Sequence, residues 1–198
     1  MRKLSFVRTF CVALLSIVGT LPLLSYRSVS ESPRLLLDVS PYVKQKIQEY
    51  LDKAWACYQE KDYETALRWW QMAEKRNSAA AQYNIGLCYE RGTGVEQDMK
   101  MAVKWYRKAA DQNFPGAQYN LAYCYAEGKG VEQSFEKAFE WWRAAAELGL
   151  PEAQYSVGWC YYEGKGVKQN YKEAIKWYHR AAEEGNADAI AALSELGE

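Results

Sequence analysis

The sequence predicts an all-α fold, an α/α superhelical solenoid of antiparallel helix-turn-helix repeats with a 36-residue period. Three observations predict it. The string Ala81-Gln82-Tyr83-Asn84-Ile85-Gly86-Leu87-Cys88-Tyr89 returns in near-identical form from Ala117 and again from Ala153, each step being 36 residues. A fixed period of roughly 20 to 50 residues is the mark of a stacked array. Four good helix N-caps, Asp62, Asp98, Ser134 and Asn170, recur at the same spacing. Within each copy the apolar residues follow helical spacing, and no strand-like alternation intervenes.

The elements follow in order. Residues 1–30 form a distinct unit, with Arg2, Lys3 and Arg8 ahead of the apolar run Phe10–Leu24 and no acid before Glu31. A basic start and a short apolar run read as a signal peptide. Three other readings stay open: an uncleaved membrane tether through the charge-free residues 9–26, a mitochondrial presequence, and an ordinary first helix. Residues 31–40 read as a linker, with Pro33 and Pro41 opposing regular structure. Residues 41–77 read as an N-terminal capping unit. It has one helix over Tyr42–Glu60, from the spacing of Val43, Ile47, Tyr50, Leu51, Ala54 and Tyr58, and a second from Tyr63 to about Arg76. An array needs such an atypical unit to cover its first open face.

Three full repeats occupy residues 78–186. Each first helix starts at Ser78, Pro115 or Pro151, the prolines suiting the first helical position, where no N–H is required. Each ends at the first glycine of Gly92-x-Gly94, Gly128-x-Gly130 or Gly164-x-Gly166, which can take the left-handed conformation past a helix end. The second helices start after Asp98, Ser134 and Asn170; in the first of them Met99, Ala102, Val103, Tyr106 and Ala110 form one apolar stripe. Gly86, Ala109 and Ala110 are small where helices must approach closely. Trp105, Trp141 and Trp177 are expected to pack between turns of the array. Residues 187–198 read as a C-terminal capping helix, Ala187–Leu196.

Composition narrows function. Lys+Arg and Asp+Glu are 25 each, so the chain lacks the positive field a nucleic-acid binder needs. Of the five cysteines, Cys88, Cys124 and Cys160 share one repeat position. Stacked copies of a helix stand about 10 Å apart, beyond the ~7 Å Cα separation a disulfide tolerates, so these read as buried thiols. No C-x-x-C occurs and His179 is the lone histidine. No catalytic, cofactor or metal constellation is expected.

The motifs Ala-x-x-x-Leu-Gly-x-x-Tyr, Gly-x-Gly-Val and Lys-Ala-x-x-Trp-Tyr-x-x-Ala-Ala resemble the Sel-one-like repeat, a relative of the tetratricopeptide repeat. The resemblance covers Ala79–Gly185, while Asp62–Ala73 looks closer to a plain tetratricopeptide helix. Ala122 departs from it, standing where the family usually has glycine. The resemblance implies a right-handed α/α superhelix acting as an adaptor in protein complexes, with no catalytic residues.

The Gly-x-Gly segments follow no strand, so they read as inter-helix turns, not phosphate loops. Ser134-Phe135-Glu136-Lys137 fits S-x-x-K, the nucleophile motif of penicillin-interacting serine enzymes, but Ser134 fills an N-cap slot and the partner motifs are absent. Lys100, Lys104, Arg107, Lys108, Glu136 and Glu140 read as a solvated exterior. In tetratricopeptide-like stacks the first helices line the concave side. The pairs Tyr83 with Leu87, Tyr119 with Tyr123 and Tyr155 with Trp159, together with Tyr162, are therefore the expected partner-binding groove, because aromatics dominate binding hot spots. The expected function is a non-enzymatic scaffold binding a protein or peptide partner. Glycan or peptidoglycan binding and a β-lactam-interacting hydrolase are the alternatives. The expected location is exported or membrane-anchored, with mitochondrial as the alternative.

Overall fold

The structure, a computed structural model, describes residues 40–198; the expected leader and most of the expected linker, up to Val39, lie outside it. Helices pair in sequence order: α1 (Pro41–Gln59) with α2 (Tyr63–Glu74), α3 (Ala79–Arg91) with α4 (Met99–Ala110), α5 (Pro115–Glu127) with α6 (Phe135–Glu147), and α7 (Pro151–Glu163) with α8 (Tyr171–Glu183). α9 (Ala187–Leu196) packs on α8. Each pair also packs on the next, through α2–α3, α4–α5 and α6–α7. Among the described residues there is no strand.

Capping chemistry fixes the period. The side chains of Asp62, Asp98, Ser134 and Asn170 accept backbone N–H groups at the starts of α2, α4, α6 and α8, each such cap contributing about 1 kcal/mol. Pro115 and Pro151 open α5 and α7, and the left-handed Gly92, Gly128 and Gly164 close the three first helices. α2 ends at Glu74, two residues before the predicted Arg76. The chain turns there through Asn77, whose φ is +60°. The same repeat position is Asn113, Gly149 and Gly185, all at positive φ, so the turn into each following repeat uses residues that tolerate that conformation.

The core is a ladder of small and aromatic residues. Gly86 and Gly158 lie so close to Tyr106 and Tyr178 that an added Cβ would sit 2.6 Å from either ring. In the middle repeat Ala122 faces the level occupied by Trp142, and both are buried; the alanine is accommodated. Trp70, Tyr106, Trp142 and Tyr178 stand at one repeat position and are all buried. Trp105, Trp141 and Trp177 are half-buried. Cys88, Cys124 and Cys160 are buried free thiols, and Cys57 is half-buried. Burial pushes the Cys88 and Cys124 thiols up to about 12.

The second glycine of each Gly-x-Gly turn ties one repeat to the one before. A Cβ on Gly130 would lie 2.4 Å from the Met99 carbonyl oxygen, and Gly94 and Gly166 stand in the same relation to Tyr63 and Phe135. These turns are docking points between repeats, and close approach requires glycine there.

Candidate functional site: the first-helix face

Residues at i, i+4, i+7 and i+11 share one face of a helix, and the 36-residue period aligns that face from one first helix to the next. The stripe reads Ala80, Asn84, Leu87 and Arg91 on α3, then Gly116, Asn120, Tyr123 and Glu127 on α5. It continues as Glu152, Ser156, Trp159 and Glu163 on α7, then Asp188, Ala192 and Glu195 on α9. Its middle is covered: Asn120 and Tyr123 are 5% and 7% exposed. Its C-terminal part is mixed: Ser156 and Ala192 are buried, Glu152, Trp159 and Asp188 are half-buried, and Glu163 and Glu195 are exposed.

The seven expected groove residues do not form one surface. Tyr83, Tyr119 and Tyr155 are buried because they point sideways, between repeats. The Tyr83 hydroxyl bonds with Asn120 of the next repeat, and that of Tyr119 with Ser156. Tyr83 also packs on Phe114 at 5.1 Å and Tyr106 at 5.9 Å, and Tyr155 on Tyr178 at 5.5 Å. Burial pushes the Tyr83 phenol up to about 12 and raises those of Tyr119 and Tyr155 as well. These tyrosines are struts, and their assignment to a groove is corrected. Leu87 and Tyr123 are on the stripe but nearly covered; Lys129 Nζ donates to the Tyr123 hydroxyl at 3.1 Å. Tyr162 is half-buried and off the stripe, edge-on to Tyr171 at 5.2 Å. Trp159 alone of the seven combines a stripe position with partial exposure. Phe135 at 6.3 Å and the edge-on Trp142 at 6.4 Å hold its ring.

Sequence reasoning passed over several carboxylates near the tyrosines of the last repeats. Glu152 and Asp188 act on the Tyr119 phenol, Asp188 and Glu195 on Tyr155, and Glu195 on Tyr162, in each case raising it after burial. These acids therefore cluster beside the first helices of the last repeats. One oxygen of Glu152, Oε2, is buried with no hydrogen-bond partner among the described residues. The signal was present in the sequence: Glu152 and Asp188 stand one period apart, as do Trp159 and Glu195.

Two glutamine ladders were also missed. Gln97, Gln133 and Gln169 each donate from Nε2 to the carbonyl of Glu90, Ala126 or Tyr162 at 2.7 Å. They pin each Gly-x-Gly turn to the end of its first helix. Gln118 and Gln154 donate to the carbonyls of Ala110 and Ala146, at 3.2 and 3.4 Å, satisfying acceptors a helix end leaves open.

The other motifs resolve structurally. Ser134 Oγ accepts from Lys137 N at 3.2 Å and donates to Glu136 at 3.0 Å, while Lys137 Nζ lies over the Tyr125 ring, 5.4 Å from its centroid. The lysine is thus held on an aromatic face, and the hydroxyl is engaged as a cap. Arg107 and Lys108, expected to be solvated, cross between repeats: Arg107 donates to the Tyr125 hydroxyl and Lys108 pairs with Glu74 at 3.3 Å. Among the described residues no group of His, Cys, Asp and Glu could hold a metal ion. None of the described helices is long and apolar enough to cross a membrane.

Comparison with known proteins agrees with this architecture. The Sel1 repeat family matches residues 52–78, 79–114, 115–150 and 151–186, so its pattern reaches into the segment expected to be a tetratricopeptide-like cap. A Sel1 repeat protein of Oxalobacter formigenes is 38% identical over 73% of this chain and 57% of its own, with a TM-score of 0.69. The protein c5321, described as a protective antigen of uropathogenic Escherichia coli with an SLR fold, is 36% identical over 79% of this chain and 36% of its own, with a TM-score of 0.73. Cysteine rich protein B of Helicobacter pylori shares the fold at 22% identity and a TM-score of 0.51. The chain spans 57% and 36% of the length of the first two of these structures. No curated protein matches the chain.

Proposed function

This chain belongs to the Sel1 repeat family, and on that premise we propose that it is a non-enzymatic scaffold that holds a protein partner on the open end of its first-helix face. Repeats of this family are in general protein-interaction scaffolds. One observation carries the choice of face. Positions that build the array repeat with little change, as in Ala81, Ala117 and Ala153, or Gln82, Gln118 and Gln154. Stripe positions change chemistry from repeat to repeat: Leu87, Tyr123, Trp159 and Glu195 at one level, Ala80, Gly116, Glu152 and Asp188 at another. A scaffold that reads a partner varies the residues that touch it and keeps those that hold its shape.

The mechanism is positional. Cap, glutamine and tyrosine-strut bonds fix the spacing of α7 and α9, so the surface around Trp159 is organised before binding, which lowers the ordering cost on the receptor side. Site-specific photo-crosslinking tests this. A benzophenone side chain at position 159 is expected to give discrete protein adducts in the native cell, while one at Glu140, on the outward side of α6, is expected to give none. Adducts from position 140 only would refute the choice of face. Residues 1–30 direct export in this reading, and the N-terminal residue of the mature protein, read by mass spectrometry, is the check; an intact Met1 would refute cleavage.

A further inference from the structure

The array treats its two ends differently. Apart from its first turn and Ala56, the exposed side of α1 is polar. Lys44, Gln45, Gln48, Asp52 and Lys53 are exposed, Gln48 donates to Asp52 at 2.8 Å, and Lys53 pairs with Glu49 at 2.7 Å. A terminal unit needs such a face to stay soluble. α9 presents the opposite. Ala187, Ile190, Ala191 and Ser194 stand at i, i+3, i+4 and i+7, so they share one helix face. All four are exposed, Ile190 at 51%. The exposed Glu195 borders that face.

Earlier repeats show what this face takes. Ala191 and Ser194 stand one period after Tyr155 and Gly158, and those positions meet a second helix. Tyr155 packs on Tyr178 at 5.5 Å and Tyr83 on Tyr106 at 5.9 Å. Gly158 and Gly86 lie against the same two rings. The start of α8 is uncovered as well. Tyr63, Met99 and Phe135 begin α2, α4 and α6, and each receives the Gly-x-Gly turn of the following repeat. A Cβ on Gly94, Gly130 or Gly166 would lie 2.5, 2.4 or 2.1 Å from their carbonyl oxygens. Phe135 also carries Lys165 of that turn over its ring and lies 6.3 Å from Trp159 of the following first helix. All three are half-buried. Tyr171 begins α8 at the same repeat position and is 54% exposed. α8 and α9 therefore present, uncovered, both contacts that a turn and its second helix make elsewhere in the array.

We propose that this end of the array docks a partner helix that opens with a Gly-x-Gly turn. The second glycine of the turn seats on the Tyr171 carbonyl, and an aromatic residue of the helix seats on Ala191 and Ser194. The surface continues the interface that joins repeats, and it uses no residue of the first-helix stripe. Ser194 selects the aromatic. Gly86 and Gly158 meet tyrosines that leave no room for a Cβ, whereas Ala122, which has one, is matched by Trp142. Ser194 also has a Cβ, so the partner follows the middle repeat. A second copy of the chain does not supply the segment. Its three Gly-x-Gly turns are docked on Tyr63, Met99 and Phe135 of their own chain, and residues 60–62, between α1 and α2, contain no glycine.

The test uses the full chain and a fluorescein-labelled synthetic peptide of residues 128–149, which carries the turn, the Ser134 cap and Trp142. Fluorescence anisotropy is expected to show saturable binding. Peptides with Gly130→Ala or Trp142→Ala are expected to bind at least about tenfold more weakly. The unaltered peptide is expected to lose at least about tenfold on the chain variant Ile190→Asp/Ala191→Glu, and less than about twofold on Gln45→Asp/Gln48→Glu, which adds the same charge to α1. All four substituted positions in the chain are exposed, and circular dichroism confirms that both variants fold. No binding at about 1 mM peptide would overturn the proposal. Equal binding to the two chain variants would place the peptide elsewhere, and undiminished binding of the Gly130→Ala peptide would remove the turn from the contact; either overturns it. A dimer of the chain in sedimentation that the α9 variant abolishes would make a second copy the occupant and overturn it too. Because no stripe residue is changed, each of these outcomes leaves the first-helix reading standing.

Discussion

Replacing Gly130 by alanine isolates the contact that links one repeat to the next. Gly130 has a φ of +71°, and a Cβ there would lie 2.4 Å from the Met99 carbonyl oxygen and 2.6 Å from its carbon. Both atoms are backbone at the first residue of α4, so no side chain can swing away. Gly149 is the control: its φ is +88°, and a Cβ there meets nothing within 4 Å. Alanine at either position pays the left-handed penalty, roughly 1–2 kcal/mol, and each gains similarly from a less flexible unfolded chain. The difference between the two is the steric term alone, about 1–3 kcal/mol for forcing packed groups apart. At ~2–4 °C per kcal/mol for a chain of this size, Gly130→Ala should melt about 2–12 °C below Gly149→Ala. Thermal denaturation followed by circular dichroism at several heating rates measures this. Equal melting temperatures would refute the claim that the second glycine docks the repeats.

Further predictions follow from the same geometry. Gly86→Ala should cost about 1–3 kcal/mol, because the new Cβ would fall 2.6 Å from the buried Tyr106 ring. Ala122→Gly, the reverse change at the same repeat position, should cost only about 1 kcal/mol in helix propensity; urea denaturation of the pair checks the asymmetry. Gln133→Ala removes the 2.7 Å bond to the Ala126 carbonyl and should destabilise by about 0.5–1.5 kcal/mol, with Gln97→Ala, whose equivalent bond is exposed, costing less. Cys88 and Cys124, pushed up to about 12 by burial, should resist a disulfide reagent at pH 8 in the folded state and react once denatured, since the thiolate is the nucleophile. The folded chain then holds thiol protons that the unfolded chain releases, so this contribution to stability is intact below about pH 9 and declines between about pH 9 and 12, at ~1.4 kcal/mol per pH unit for each thiol. Stability that rises over that window would refute it.

The fold was legible in the sequence wherever local chemistry repeated. Asp62, Asp98, Ser134 and Asn170 each set a helix start, and Gly92, Gly128 and Gly164 each set a helix end, because capping depends on a few neighbouring residues. The site was less legible, for a reason the tyrosines make plain. On a helical wheel Tyr83 and Leu87 are neighbours, and nothing within one repeat says which faces solvent. That is decided by the sideways contact with the next repeat, where Asn120 hydrogen-bonds the hydroxyl of Tyr83 and Ser156 that of Tyr119. Hydroxyl partners one period plus one residue away are invisible to a single-helix pattern and become visible once copies are stacked.

The same stacking explains why the chemically distinctive surface lies toward the last repeats. In the middle of the array each first helix has a neighbour on both sides, and α5 is buried along nearly its whole length, Glu127 being its exposed residue. Aromatic residues placed there add to the core and contribute little to a surface: Tyr119 and Tyr123 are 2% and 7% exposed. On α7 and α9 the buried Tyr123 gives way to a half-buried Trp159 and an exposed Glu195, and the half-buried Gly116 to half-buried Glu152 and Asp188. Burying carboxylates between stacked helices would cost several kcal/mol each, so these acids are compatible with the array only where the stripe is open. Glu127, at the exposed end of α5, obeys the same rule: an acid stands on the stripe only where packing leaves it at least partly exposed.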